Sequence, residues 1–332
     1  MQALLIAGGF GTRMRPLTYT RPKHLLPIAN KPHIEYVFDL LQRHDVNEVV
    51  LLTSYLAEAF TQTVTAASDR GMQVRICREE TPLGTAGALK NAAEMVGSET
   101  FFAMNGDVLT GADLSALLEF HRAGGGSGTI LLTPVEDPSQ FGVVAADSRG
   151  CVEAFIEKPP KGEAPTNLIN AGIYVLEPEI FDQIPEGEEY SAERQLFPAL
   201  VEQKELFAMS TDAYWLDVGT PSKYLQANLD ALDGTLVVEE ISMIAEGSVL
   251  RGEASVVAEG AEVTRSCLGD GVKIGADATV TASVLLPEVE VGERSVIERS
   301  ILGEGVRVAD NISLVGATVG DGEHVEKSEV VA

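Results

Sequence analysis

The chain is poor in cysteine, in basic charge and in long apolar runs. Its 332 residues hold three cysteines, Cys77, Cys151 and Cys267. They are odd in number and far apart, which argues against a disulfide framework or a cysteine-built metal cluster and fits reduced thiols in the cytoplasm. No run of about 18 apolar residues occurs, so no transmembrane helix and no membrane partner are expected. The opening "MQALLIAGG" has no charged n-region and no small-residue cleavage site, so a secretory leader is not expected either. Lys and Arg number 24 against 50 Asp and Glu, a formal net charge of -26. Phosphate backbones need a net basic face, so nucleic acid is not an expected partner. The acidity reads as a well-solvated surface.

Against that background one segment stands out. "LLIAGGFGTRMRPLTYTRPKHLLPI" carries Gly8, Gly9 and Gly11, and Arg13, Arg15, Arg21, Lys23 and Lys31 follow by position 31. No Asp or Glu precedes Glu35. Consecutive backbone N–H groups in a glycine turn form an anion nest, and Arg13 and Lys23 can neutralise a polyphosphate. Two familiar phosphate loops do not fit. A dinucleotide fingerprint needs a small residue where Met14 stands, and a P-loop needs Gly-Lys-Ser/Thr where the chain has Gly11-Thr12-Arg13. Alternatively the glycines make only a tight turn and the basic residues only a solvated face; the local reversal of charge sign favours the anion site.

The first half alternates strand and helix patterns, which predicts an α/β fold with a Rossmann-like, mostly parallel sheet. "ALLIA" and "EVVLLTS" are buried-strand runs, "QVRIC" and "TFFAMNGD" two more, the last ending at Asp107. Helices are expected from Pro32, with Ile34, Val37, Phe38 and Leu41 on one face, from Leu56 to Asp69, and from Thr85. From about residue 129 to 215 short strand-like runs suggest an antiparallel insertion that walls a pocket. From Leu268 the sequence repeats at a constant step of 17, restarting at Leu285, Leu302 and Val319. Apolar residues recur at six-residue intervals inside each step. That predicts a left-handed parallel β-helix of about five coils, with Gly or small residues at the turns and one shortened corner per coil. The domains are expected at 1–233 and 234–332.

Gly8-Gly9-Phe10-Gly11-Thr12-Arg13, Pro16-Leu17-Thr18 and Pro22-Lys23 together resemble the signature of the sugar-phosphate nucleotidylyltransferases, also called NDP-sugar pyrophosphorylases. "PLGTAGAL", "NGD", "EKP", "NAGIY" and "WLDVGTP" follow in that family's order, so the resemblance covers nearly the whole chain. It implies transfer of a nucleotidyl group from an NTP to a sugar 1-phosphate, with release of pyrophosphate. Two anions must meet, so charge neutralisation and in-line positioning are the main demands. The resemblance assigns catalysis to Arg13, Lys23, Asp107 and Asp217, and Mg²⁺ to Asp107 and Asp217. It assigns the nucleotide to Leu5, Ala7, Gly8, Gly9, Gly11, Thr12, Arg13, Pro82, Gly84, Thr85 and Gly106. The sugar phosphate falls to Gly142, Glu157, Lys158, Asn170 and Gly172.

The loop at Thr85-Ala86-Gly87 lacks the Gln that commonly reads the base in thymidylyl members, and the motifs look most like those of members that join GTP to mannose 1-phosphate. Glucose 1-phosphate with dTTP or UTP is the alternative pair. A catalytically silent regulatory subunit is the alternative of another class, though the basic signature and both aspartates are present. An acyltransferase in the β-helix would need a His at a coil edge, and the repeats offer only His324. The β-helix is expected to cap the protein, to mediate homo-oligomer assembly, or both.

Overall fold

The computed structural model describes residues 1–54, 56–236 and 249–330. Residues 237–248, assigned above to the second domain, lie outside the described residues. The chain forms two compact units, Met1–Gly9 with Glu35–Trp215, and Phe10–Ile34 with Leu216–Ala332. The glycine-rich opening is thus divided after Gly9. Gly8 and Gly9 belong with the first unit; Gly11 and the basic residues belong with the repeats.

The first unit is built on a nine-stranded sheet. Gln2–Ile6 pairs in parallel with Glu48–Thr53 on one side and Phe101–Asn105 on the other, and Gln73–Arg78 pairs with Glu48–Thr53. The inner runs are almost wholly apolar because both faces are covered: Leu4, Leu5, Val50, Leu51 and Leu52 are fully buried. Gln73–Arg78, at the end of the strand order, is largely exposed. The predicted helical stripe is also buried, on the helix His33–Arg43. Pro32 stands just outside that helix, in the two-residue strand Lys31–Pro32 that pairs with Pro27–Ile28. The helix expected from Leu56 begins as a 3-10 turn, Ala57–Phe60, and becomes α-helical at Thr61–Asp69.

The sheet is mixed rather than mostly parallel. Leu168–Leu176 pairs antiparallel with Phe101–Asn105 and with Gly128–Pro134. Gly142–Ala146 and Val152–Glu157 continue that edge, and Leu206–Ser210 joins Gly128–Pro134 in parallel. The segment expected as an antiparallel insertion walling a pocket is therefore the other half of one sheet. Its middle strand, Leu168–Leu176, is as apolar as Gln2–Ile6; Ile169, Ala171, Ile173, Val175 and Leu176 are fully buried, so that strand is covered on both faces.

In the second unit the repeats form three parallel five-stranded sheets, one per side of a left-handed β-helix of five coils. Strand partners differ by 17 residues, as in Val249↔Ser266 and Lys273↔Glu290, except at the last pair of strands, where Leu314 meets Glu329 and Val315 meets Val330. Leu268, Ile274, Val280, Leu285, Val291, Ile297 and Leu302 point inward and are buried. The five-residue step falls at the same corner in successive coils, between Val280 and Leu285 and between Ile297 and Leu302. There a residue with positive φ (Arg265 45°, Ala282 47°, Arg299 45°) precedes a fully buried serine (Ser266, Ser283, Ser300). The N–H of Ser283 donates to Ser266 Oγ, and that of Ser300 to Ser283 Oγ, each at 3.1 Å. Each of the three hydroxyls donates at 2.8 Å to the carbonyl two residues back. The ladder pairs backbone groups that the tight corner would otherwise bury alone.

Glycine at the turns is only part of the pattern. Asp277, Glu288, Arg294 and Asn311 also take positive φ. Glycine is required where the next coil leaves no space: a Cβ on Gly275 would lie 2.8 Å from Glu293 N, and one on Gly303 would lie 2.6 Å from Asp321 N.

Candidate active site

In the first unit, Gln2–Ile6 delivers a glycine turn to the carboxyl end of a parallel strand, where ligands gather in such sheets. Leu5 and Ala7 are buried under it, and Ala7 N–H donates to the Leu52 carbonyl at 2.9 Å. Gly9 has φ 94° and donates its N–H to Ser54 Oγ at 3.0 Å. A Cβ on Gly8 would lie 3.4 Å from Glu79 Oε1, so this carboxylate faces the turn. Glu79 is 8% exposed. Its Oε2 accepts from Leu83 N–H at 3.3 Å. Burial pushes the Glu79 carboxyl above its ordinary range, against the opposing effect of that N–H. Among the described residues no Lys or Arg forms an ion pair with it. A buried carboxylate without a cation is costly unless something else satisfies it. Glu79 is not among the residues that the sequence pattern singles out. Its signal was two acids, Glu79-Glu80, at a strand end just before the Pro-Leu-Gly loop.

Gly106 N–H donates to Ile6 carbonyl at 2.9 Å, and Asp107 follows it between the strands Phe101–Asn105 and Val108–Thr110. Pro82 is exposed. Gly84 opens the helix Gly84–Asn91 with φ 71°, and a Cβ there would sit 2.8 Å from the Tyr190 carbonyl oxygen. That same oxygen accepts from Ala86 and Gly87 N–H. The Thr85 hydroxyl donates to Glu193 Oε2 at 2.7 Å and accepts from Ala192 N–H. Gly84 and Thr85, expected at the base, are here engaged with the 188–193 segment.

The residues expected at the sugar gather on the antiparallel half. Gly142 is needed for close approach: a Cβ would lie 2.8 Å from Phe155 Cζ and 3.1 Å from Glu157 Oε2. Glu157 pairs with Lys158 at 3.4 Å. Lys158 has φ 52°, and its side chain is exposed. The Asn170 amide donates to Tyr174 hydroxyl at 2.8 Å, and its oxygen accepts from Gly172 N–H at 2.9 Å. These bonds close the irregularity in strand register between Asn170 and Tyr174. Gly172 has φ 74°, and a Cβ there would lie 2.7 Å from Asn105 Nδ2. Tyr174 is buried, which drives its hydroxyl well above the ordinary range. The charges of Glu193, Glu157 and Asp107 act in the same direction. These three carboxylates therefore share the field around one tyrosine, and Glu193 is a second residue that the sequence pattern does not single out.

In the second unit, Gly11 takes φ 57°, and its carbonyl accepts from Thr18 hydroxyl at 2.8 Å. Thr12–Met14 is a 3-10 turn. Met14 and Leu17 are buried, so the Met that spoils the dinucleotide fingerprint is the turn's anchor. Arg13 is exposed and Lys23 half-buried, in the turn Lys23–Leu25. The missing side chain of Gly219 brings Arg13 and Asp217 together: a Cβ there would lie 3.0 Å from Arg13 Nη2 and 3.1 Å from Asp217 Oδ1. Thr220 then caps the helix Pro221–Leu232. On that helix fully buried Asn228 accepts from Ala29 N–H at 2.9 Å, and Tyr224 hydroxyl donates to Pro27 carbonyl.

Among the described residues, no three His, Cys, Asp or Glu side chains form a metal-holding group. Asp107 in the first unit and Asp217 in the second each carry a carboxylate, the hard oxygen donor that a divalent cation of the magnesium type takes. No helix is long and apolar enough to cross a membrane among the described residues.

The nucleotidyl transferase family model matches residues 2–234, and a GlmU-like C-terminal hexapeptide model matches 234–329. The chain is 36% identical over 288 residues to a mannose-1-phosphate guanylyltransferase of Mycobacterium tuberculosis, covering 82% of this chain and 79% of that protein. It is 41% identical over 227 residues to the mannose-1-phosphate guanylyltransferase catalytic subunit beta of Drosophila pseudoobscura pseudoobscura, covering 68% of this chain and 60% of the fly protein's length. A putative glucose-1-phosphate thymidylyltransferase from Bacillus anthracis, solved in complex with a sucrose, shares the fold. It superposes with a TM-score of 0.63 at 23% identity, over 69% of this chain and 94% of that one. The signature turn, the mixed sheet and a family match over residues 2–234 lead to one statement: this chain belongs to the nucleotidyl transferase family.

Proposed function

We propose that the chain joins GTP to mannose 1-phosphate, giving GDP-mannose and pyrophosphate. The observation that carries the choice of base is Glu79, a buried carboxylate that faces the glycine turn and forms no ion pair with a Lys or Arg among the described residues. An ionised carboxylate only accepts hydrogen bonds. Guanine offers it two adjacent donors, N1–H and the N2 amine, whereas thymine and uracil offer a single ring N–H. The names of the mycobacterial and fly relatives support the same pair.

In the reaction a sugar-phosphate oxygen attacks the α-phosphorus, and pyrophosphate leaves in line with it. Gly8, Gly9 and Gly11 hold the triphosphate by backbone N–H groups. Arg13 neutralises charge that builds in the transition state, and Lys23 steadies the α-phosphate and the attacking group. Glu157, Lys158 and Asn170 take the sugar phosphate. Mg²⁺, held by Asp107 and Asp217, would supply Lewis-acid neutralisation of the phosphate oxygens. We place the two domains at 1–233 and 234–332. The protein works as a homo-oligomer in the cytoplasm, a setting consistent with its free thiols.

The test is pyrophosphate release with GTP, ITP, dTTP, UTP and ATP against mannose and glucose 1-phosphates, with Mg²⁺ or a chelator. GTP with mannose 1-phosphate should give the highest kcat/KM. ITP, which lacks the N2 amine, and the Glu79→Gln variant should each lose about 10²-fold, because a site built for a donor rejects analogues without it. Preference for dTTP over GTP, or an unchanged Glu79→Gln profile, overturns the base assignment. No turnover with any pair favours a silent subunit.

A further inference from the structure

The glycine-rich opening is split between the two units, and its basic half lies on the coil stack. Asp321, at a corner of the β-helix, has a divided carboxylate. Its Oδ1 accepts from Glu304 N–H at 2.8 Å, which holds the corner to the coil before it. Its Oδ2 accepts from Arg21 Nη2 at 2.8 Å and from the Thr20 hydroxyl. Glu304 Oε2 takes the same Arg21 Nη2 at 2.7 Å. Gly320 lets the segment close in: a Cβ there would lie 3.1 Å from Pro16 Cβ. Farther along, Asn30 Nδ2 donates to the Leu268 carbonyl at 2.8 Å.

The molecule contains its own control. Three coils earlier, Asp270 makes the same corner bond, accepting from Glu253 N–H at 2.7 Å, and among the described residues no basic side chain is paired with it. The corner bond therefore does not need the cation, and the Arg21 and Thr20 contacts are an addition particular to Asp321. The Asp321 and Arg21 side chains are only 14% and 21% exposed, so solvent and salt screen this pair less than a surface one.

We propose that the β-helix positions the catalytic segment, with Asp321 and Glu304 as positioning residues. By fixing Thr20 and Arg21 they set the register of a run that carries Arg13 on one side and Lys23 on the other. A misplacement of about 1 Å far from the chemistry can cost up to about 10² in rate, so the coil stack contributes to turnover without touching substrate. The inference rests on the nucleotidyl-transfer reading for its rate consequence, but not for the bracing itself.

The test compares Asp321→Asn with Asp270→Asn in the full-length protein. Asn keeps an oxygen for the corner N–H and loses the charge that holds Arg21. Asp321→Asn should lower kcat about tenfold, with both KM values within twofold of the parent. It should also speed amide exchange across residues 12–26, with thermal unfolding unchanged. Asp270→Asn should do neither. Parent-like kcat and exchange in Asp321→Asn, or equal losses in Asp270→Asn, overturn the proposal. If the parent turns over no substrate pair, the functional reading fails while amide exchange still decides the bracing.

Discussion

The mixed sheet and the coil stack both bury apolar strands, yet they spend the sequence differently. In the sheet every position has unique neighbours: Gly142 exists for Phe155 and Glu157, and Gly172 for Asn105. In the stack a position meets its own counterpart 17 residues away, Ser283 resting on Ser266 and Ser300 on Ser283. Uniqueness allows a site, because one residue can be placed for one ligand. Repetition gives a regular edge, and chemistry appears on it only where the repeat is broken, as when Asp321 gains the partner that Asp270 lacks.

The largest test of that contrast is a matched pair of core truncations. Leu4 and Leu302 are both fully buried, one in the central strand and one in the stack. Leu4→Ala and Leu302→Ala should each cost about 2–5 kcal/mol by denaturant titration. Amide exchange should then separate them. Leu4→Ala should loosen the whole sheet, and Leu302→Ala mainly the adjoining coils, because repeat stability is a sum over nearest neighbours. Equal spread in both would break the comparison.

Next comes a position of unique use. Asp107→Asn should lower kcat by about 10² or more, the scale for losing one transition-state stabiliser; unchanged kcat would remove Asp107 from the site. Smaller is Ser283→Ala, which removes one rung of the ladder and should cost about 1 kcal/mol. A loss near zero would mean that the corner is set by backbone alone.

The smallest effect is in pH dependence. The folded pKa of Glu79 is raised above its ordinary 4.5 by burial. The folded state then holds a proton that the unfolded state has released, so stability falls as pH rises from the ordinary value through the folded one. Glu79→Gln should abolish that fall, read as the difference in Tm between the two proteins at acid and neutral pH. The same ionisation makes GTP binding weaken as pH drops through the raised pKa; a GTP KM that is flat there in the parent would remove Glu79 from the base site.

Much of this was legible in the residues. The step of 17 was explicit, because each inward residue must recur for a coil to close on the one before. Gln2–Ile6, Glu48–Thr53 and Phe101–Asn105 were legible because strands covered on both faces are nearly continuous in apolar residues. The run from about residue 129 to 215 reads locally as an antiparallel insertion, since turns break it into short pieces and nothing local tells which strands pair. Its joining of the same sheet through Phe101–Asn105 is a long-range pairing. Glu79 and Glu193 were missed for a related reason. In a chain with 50 acids, a carboxylate attracts no notice until its burial is known.

The sequence by itself determined the repeat, the apolar strands and a basic, glycine-rich segment suited to phosphate, because each follows from local pattern and charge. Only the tertiary structure decided that the segment divides after Gly9, that Gly219 brings Arg13 and Asp217 together, and that Asp321 grips Arg21 across 300 residues. Those contacts depend on where distant parts of the chain come to rest, and no local pattern encodes a distance between them.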